Sequence, residues 1–165
     1  MHIVLVEPEI PGNTGNIARL CAGMGIELHL VRPLGFSTDD KHLKRAGLDY
    51  WHLVKVYYHD SFADVQQQYT GSPFYFCTTK AKHSYSDIAY ASDSILVFGK
   101  ETAGLPEPLL AANEERTIRI PMQAGARSLN LSNAVAVVAY EALRQNAFAD
   151  LCLSGTGCHG GTDTI

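Results

Sequence analysis

At 165 residues the chain has the length of one domain, with room for a real hydrophobic core. With 18% charged and 46% hydrophobic residues it is not an intrinsically disordered chain, and no apolar run reaches the ~18 residues of a membrane span. The formal net charge of −4 does not advertise a nucleic-acid binder, so any RNA contact must come from local basic patches.

The chain opens directly on a strand-like run, His2 to Val6, with no readable secretory signal ahead of it. Glu9 to Asn16 reads as a turn-rich loop. Ile17, Leu20, Cys21 and Met24 then recur at helical spacing, and Gly25 is placed to end that helix. Glu27 to Val31 is a second strand, closed by Pro33. Strand, glycine-bearing loop, helix and strand form the βαβ signature of a parallel sheet.

Thr38 to Gly47 is polar and basic. Lys41, Lys44 and Arg45 share one helical face, either as a solvated surface or as a phosphate-binding stripe. Leu53 to Tyr58 is a third strand, and Ser61 to Tyr69 a short helix with Phe62, Val65 and Tyr69 inward. Phe74 to Thr78 is a fourth strand, followed by a basic loop with Lys80 and Lys82. Ile95 to Phe98 is a fifth strand running straight into Gly99. Leu109 to Asn113 is a short helix and Thr117 to Ile120 the last strand.

Pro121 to Asn130 is a polar loop. Leu131, Ala134, Val135, Val138 and Ala142 then mark one face of a helix ending near Gln145, with Asn130 or Ser132 as its cap. Ligands of open α/β sheets bind beyond the carboxyl ends of strands, so the loops after the fourth, fifth and last strands are the predicted pocket wall. The expected domain covers residues 1–148, and residues 149–165 read as a flexible tail. Cys21, Cys77, Cys152 and Cys158 are scattered, which points to a reducing cytoplasm. Cys152, Cys158 and His159 on the tail make too weak a ligand set, and with no HExxH or CxxC pair no metal is expected.

Neither the dinucleotide fingerprint nor a Walker lysine is present, and no Gly-x-Ser-x-Gly elbow surrounds Ser128. What remains is a wall of glycines, backbone and small polar groups. Such a wall suits a cofactor that carries its own reactivity, with the protein mainly positioning it.

Three stretches, in order, carry a resemblance. Asn13-Thr-Gly-Asn-Ile-Ala-Arg19, Phe98-Gly-Lys-Glu-Thr-Ala-Gly-Leu-Pro106 and Asn130-Leu-Ser-Asn-Ala-Val-Ala-Val137 resemble the three motifs of the SpoU branch of the SPOUT methyltransferases. With Ile3 to Pro11 the match narrows to the small single-domain members, the tRNA (cytidine/uridine-34-2′-O)-methyltransferases of TrmL or YibK type, over roughly residues 1 to 148. That resemblance implies an α/β sheet with helices on both faces and a C-terminal deep trefoil knot. Residues alone give only an ordinary open sheet, because true knots are rare. It implies S-adenosyl-L-methionine as cofactor, a tRNA substrate methylated at the wobble nucleotide of leucine tRNAs, and a homodimer whose interface elements are Asn16–Met24 and Leu131–Gln145. By position it implies a cofactor pocket of Cys77, Thr78, Gly99, Glu101, Gly104, Ile120, Met122, Ser128 and Leu129. Arg19, Ser128 and Asn133 fall on its catalytic positions, and Lys41, Lys44, Arg45, Lys80, Lys82 and Arg127 are the expected RNA contacts.

Two departures stand out: Lys100 replaces the proline and Ala103 the arginine usual in the second motif. The other readings are methylation of a different tRNA or rRNA site, a flavodoxin-like nucleotide-binding module, and a non-catalytic RNA-binding subunit.

Overall fold

The computed structural model describes residues 1–37 and 53–155. A sheet of seven parallel strands has the order β3-β2-β1-β6-β4-β7-β5. The strands are β1 (His2–Val6), β2 (Glu27–Val31), β3 (Val56–His59), β4 (Phe74–Cys77), β5 (His83–Ser84), β6 (Ile95–Phe98) and β7 (Thr117–Arg119). The helices are α1 (Pro11–Met24), α2 (Phe62–Gln68), α3 (Glu107–Ala111) and α4 (Leu131–Gln145).

The alternation of side chains along each strand feeds two cores. Ile3, Leu5, Leu28, Leu30, Leu96 and Phe98 face α1 and α4, where Ile17, Ala18, Cys21, Val135, Val138, Ala139 and Ala142 meet them. Val4, Val6, Val31, Phe76, Ile95 and Val97 face the other way, onto Val65, Leu105 and Leu110. Central strands buried on both faces explain the nearly unbroken apolar runs in β1 and β6. Each fully buried Ile, Leu or Phe contributes ~1.5–3 kcal/mol of transfer free energy.

Most elements fall where periodicity puts them, with instructive shifts. Helix α1 starts at Pro11, not Ile17, so most of the expected Glu9–Asn16 loop is its first turns. Proline at the first helical position costs no hydrogen bond. Asn13, Thr14 and Gly15 are buried there, so tertiary packing overrides the turn propensity of glycine and asparagine. Gly25 does end the helix, at φ 65°. Strand β3 begins at Val56, three residues later than expected, α3 begins two residues earlier, and the short β5 occupies what reads as loop. Ser61 caps α2 in a reciprocal box with Asp64. The basic stretch with Lys41, Lys44 and Arg45 lies outside the described residues, as do Cys158 and His159. Beyond α4, Phe148 and Leu151 fold back against the first core. Among the described residues no helix is long and apolar enough to cross a membrane.

Candidate active site

A cavity of about 480 Å³ opens at the carboxyl ends of β4, β6 and β7. That volume lies in the ~300–1,000 Å³ range of small-molecule pockets. Its walls are the three loops singled out by the parallel-sheet rule, residues 78–80, 99–104 and 120–131. All of Cys77, Thr78, Gly99, Glu101, Gly104, Ile120, Met122, Ser128 and Leu129 line it. Ile10, Asn13, Asn130 and Ala134 also line it, because α1 and α4 converge on its rim.

The loop after β6 is held by carboxylates. Glu101 accepts from the backbone N–H groups of Glu9 and Ile10 at 2.8 and 3.3 Å, and from Asn13 Nδ2 at 2.9 Å. Asn13 Oδ1 in turn accepts from Asn130 Nδ2 at 3.0 Å. Asn130, not Ser132, caps α4: its Oδ1 accepts from the N–H of Ser132 at 2.9 Å. One chain of hydrogen bonds therefore ties the first turn of α1, the glycine loop and the start of α4. Reciprocally, Glu9 accepts from the backbone N–H and hydroxyl of Thr102, bonds that hold its carboxyl below the usual range.

Lys100, where the resemblance leads one to expect proline, donates to Glu7 at 2.7 Å, and this bond raises the lysine pKa. Glu7 sits at φ 52°, a left-handed conformation costly for a side chain with a Cβ. The ion pair links that strained residue to the pocket loop. Ala103 lines the cavity without a charged group.

Gly99 has a sharper constraint than pocket access. A Cβ there would lie 2.1 Å from the carbonyl carbon of Gly104 and 2.2 Å from the nitrogen of Leu105. The glycine is required because the loop closes on its own backbone, bridged by the Gly104 N–H donating to the Lys100 carbonyl at 2.8 Å. Gly104, at φ 72°, makes the reverse turn. Cys77 supplies no nucleophile: burial pushes its thiol up to about 12.

The catalytic candidates are split. Ser128 lies on the cavity wall, whereas Arg19 and Asn133 occupy exposed positions on α1 and α4 and do not line the cavity. Of the RNA candidates, Lys80 is on the wall and pairs with Glu107. Lys82 pairs with Glu114 beside a shallower hollow lined by Arg119 and Met122. Arg127 is exposed on the loop before α4. The Glu101–Asn13–Asn130 chain was hidden from sequence reasoning, although each member sits inside one of the three motifs.

A parallel α/β sheet with a cavity of backbone, small polar and apolar groups at its carboxyl edge defines a small-molecule-binding protein of the doubly wound kind. Residues 1–140 match the SpoU rRNA Methylase family, and the chain belongs to that family. A Listeria innocua protein, provisionally named a tRNA (cytidine(34)-2′-O)-methyltransferase, is 59% identical over 153 residues, covering 91% of this chain and 90% of its own. The Yersinia pestis protein of that name is 50% identical over 151 residues, covering 88% and 93%. A structure solved in work on the 2-OH methylation of C/U34 on tRNA superposes with a TM-score of 0.84 at 46% identity, over 88% of this chain and 95% of that one. An AdoMet-bound rRNA methyltransferase from Sinorhizobium meliloti superposes at 0.76 and 27% identity, over 87% of this chain and 55% of that one.

Proposed function

We propose that this protein is an S-adenosylmethionine-dependent 2′-O-methyltransferase acting on the wobble nucleotide, position 34, of tRNA. The observation that carries the reading is the cavity itself: the nine positions expected to hold the cofactor converge on one wall. The names and similarity of the relatives from Listeria innocua and Yersinia pestis support the same substrate.

The residues present fit S-adenosylmethionine. Ile120, Met122 and Leu129 offer apolar surface to a planar base, and the loops at 77–79 and 99–104 offer backbone donors and acceptors to its polar edges. No side chain on the wall is a strong nucleophile that would compete for a methyl group. When bound, the cofactor supplies an electrophilic methyl on its sulfonium. Holding donor and acceptor in line is the task of the protein.

Arg19 and Asn133 serve this reaction across a homodimer interface. Their exposed positions, outside the cavity of their own chain, support that arrangement. Val137 and Tyr140 on the outer face of α4, 36% and 47% exposed, supply apolar surface for a second copy. Arg19 stabilises the forming alkoxide and the adjacent phosphate. It is not a base, because a guanidinium does not deprotonate in proteins. Lys80, Lys82 and Arg127, with Lys41, Lys44 and Arg45, hold tRNA phosphates. The exposed pairs to Glu107 and Glu114 cost little to open. The catalytic domain is residues 1–148, its C-terminal segment threads as a trefoil knot, and leucine tRNAs are the substrate class.

Unmodified tRNA transcripts incubated with the protein and S-adenosylmethionine, then digested and read by mass spectrometry, test the reading. One 2′-O-methyl group at position 34 is expected. S-adenosylhomocysteine binding without methylation of any tRNA would favour a nucleotide-binding module.

A further inference from the structure

We propose that His2, Glu27 and His29 form a binding site for a divalent transition-metal ion, zinc above others, at the amino-terminal end of the sheet. His2 and Glu27 are register partners on adjacent strands, and His29 follows Glu27 by two residues and so shares its face. His2 Nδ1 lies 3.3 Å from Glu27 Oε2 and 3.3 Å from His29 Nε2. The three ligand atoms all lie within 4.8 Å of one another. A tetrahedral ion with bonds of ~2.0–2.1 Å sets its ligand atoms ~3.3–3.4 Å apart, which is the spacing of His2 Nδ1 from both other ligand atoms, while the Glu27–His29 pair lies within 4.8 Å.

The surroundings are those of a prepared ligand set. His29 Nδ1 is 2.9 Å from His59 Nε2. With the Nδ1 proton donated to His59, the lone pair of Nε2 faces His2, as in histidine ligands whose second nitrogen is anchored by a neighbour. Tyr57 stacks on the His29 ring at 5.0 Å and fixes its plane. The ring of His29 is fully buried, and its Nε2 lone pair is the one left open on the His2 side. Without an ion the Tyr69 hydroxyl, 3.2 Å away, donates to it, and the ion replaces this donor. Binding also moves the His2 proton from Nδ1 to Nε2. The side chains of His2 and Glu27 are 18% and 26% exposed, which opens the remaining position to water.

Two imidazoles and one carboxylate favour zinc over calcium or magnesium. The site lies at the opposite end of the strands from the cavity, so the ion clamps β1 to β2 and takes no part in chemistry there. Periodicity and motif spacing do not reveal it, because strand pairing, not local sequence, brings His2 to Glu27.

The test uses the full chain, stripped of metal and free of any affinity tag, titrated with Co²⁺ and followed by visible absorbance, with Zn²⁺ as competitor. One Co²⁺ per chain with the intense bands of a four-coordinate ion is expected, displaced by Zn²⁺. Affinity should fall at least about tenfold in His2→Gln and in Glu27→Gln, while S-adenosylhomocysteine binding stays unchanged. A triple variant, Cys152→Ser with Cys158→Ser and His159→Gln, should bind as the parent does. Absence of uptake, uptake unchanged in both site variants, or uptake lost in the tail variant would overturn the proposal. Should Glu27→Gln fail to fold, Glu27→Asp, which shortens the reach to the ion, replaces it with the same expected loss.

Discussion

Asn13 and Asn130 stand 117 residues apart in the chain, yet Asn130 Nδ2 donates to Asn13 Oδ1 at 3.0 Å on the rim of the cavity. Through Asn13 Nδ2 the contact continues to Glu101, and through Asn130 Oδ1 to the first turn of α4. The pair therefore couples two helices and the glycine loop. Asn13→Ala should cost more than a surface change, since it leaves part of a carboxylate and an amide unpaired, about 1–3 kcal/mol. Asn130→Ala loses the cap as well, typically about 1 kcal/mol. A double-mutant cycle by urea denaturation should return a coupling of ~0.5–1.5 kcal/mol. Strict additivity would mean the two amides act independently.

Gly99 separates loop closure from pocket filling. Gly99→Ala places a methyl 2.1 Å from backbone that cannot move cheaply. It should destabilise the fold by roughly 2–3 kcal/mol or more, the upper part of the overpacking range. Gly104→Ala meets no atom within 4 Å and suffers only its positive φ, so about 1–2 kcal/mol is expected. Thermal melting of the two variants checks the ranking. An unchanged melting point in Gly99→Ala with lost cofactor affinity would return the residue to a pocket role.

In the proposed function, the role of Arg19 depends on assembly. If it stabilises a forming alkoxide in a shared site, Arg19→Ala should lower single-turnover methylation of tRNA by about 10²–10³ and leave folding and S-adenosylhomocysteine binding intact. Arg19→Lys should recover only part, because it keeps the charge and loses the planar fork. Wild-type turnover in Arg19→Ala would remove the residue from catalysis. Sedimentation should show a dimer at micromolar concentration, and a fully active monomer would refute the shared site.

The buried histidine makes stability fall on mild acidification. Burial, chiefly, and neighbouring His2 and His59 lower His29 from 6.5 to about 3, while Tyr57 and Tyr69 also border the ring and a Glu27 carboxylate oxygen lies within 4.8 Å of its ligand nitrogen. The unfolded chain takes up a proton below about pH 6.5 and the folded chain does not until near 3, so stability is lost as pH falls through that window. At pH 5 the loss from this group is about 2 kcal/mol. In chelator-treated protein the melting temperature should drop by about 4–8 °C between pH 7 and pH 5, above the range where carboxylates titrate. His29→Gln should flatten most of that slope, with a remainder from His2 and His59, which are lowered too. A slope unchanged in His29→Gln would assign the effect elsewhere.

What the sequence determined by itself is local and periodic. Apolar runs at His2–Val6 and Ile95–Phe98, helical spacing over Leu131–Gln145 and Gly25 after Met24 name elements whose signals lie within a few residues of one another. The parallel-sheet rule then points to the loops beyond β4, β6 and β7, and the ordered motifs lead to the family. What only the tertiary structure decided depends on groups distant in the chain. The start of α1 at Pro11 rests on burial of Asn13 and Thr14, against their turn propensity. The short β5 exists because β7 offers it an edge. Lys100 finds its reason in Glu7, 93 residues away, and Gly99 in the backbone of Gly104. Hydrogen bonds and close contacts act over a few ångströms of space, and a linear pattern carries distance only along the chain. Strand pairing and helix packing turn one kind of distance into the other, so the pocket was legible as three loops and its bracing was not.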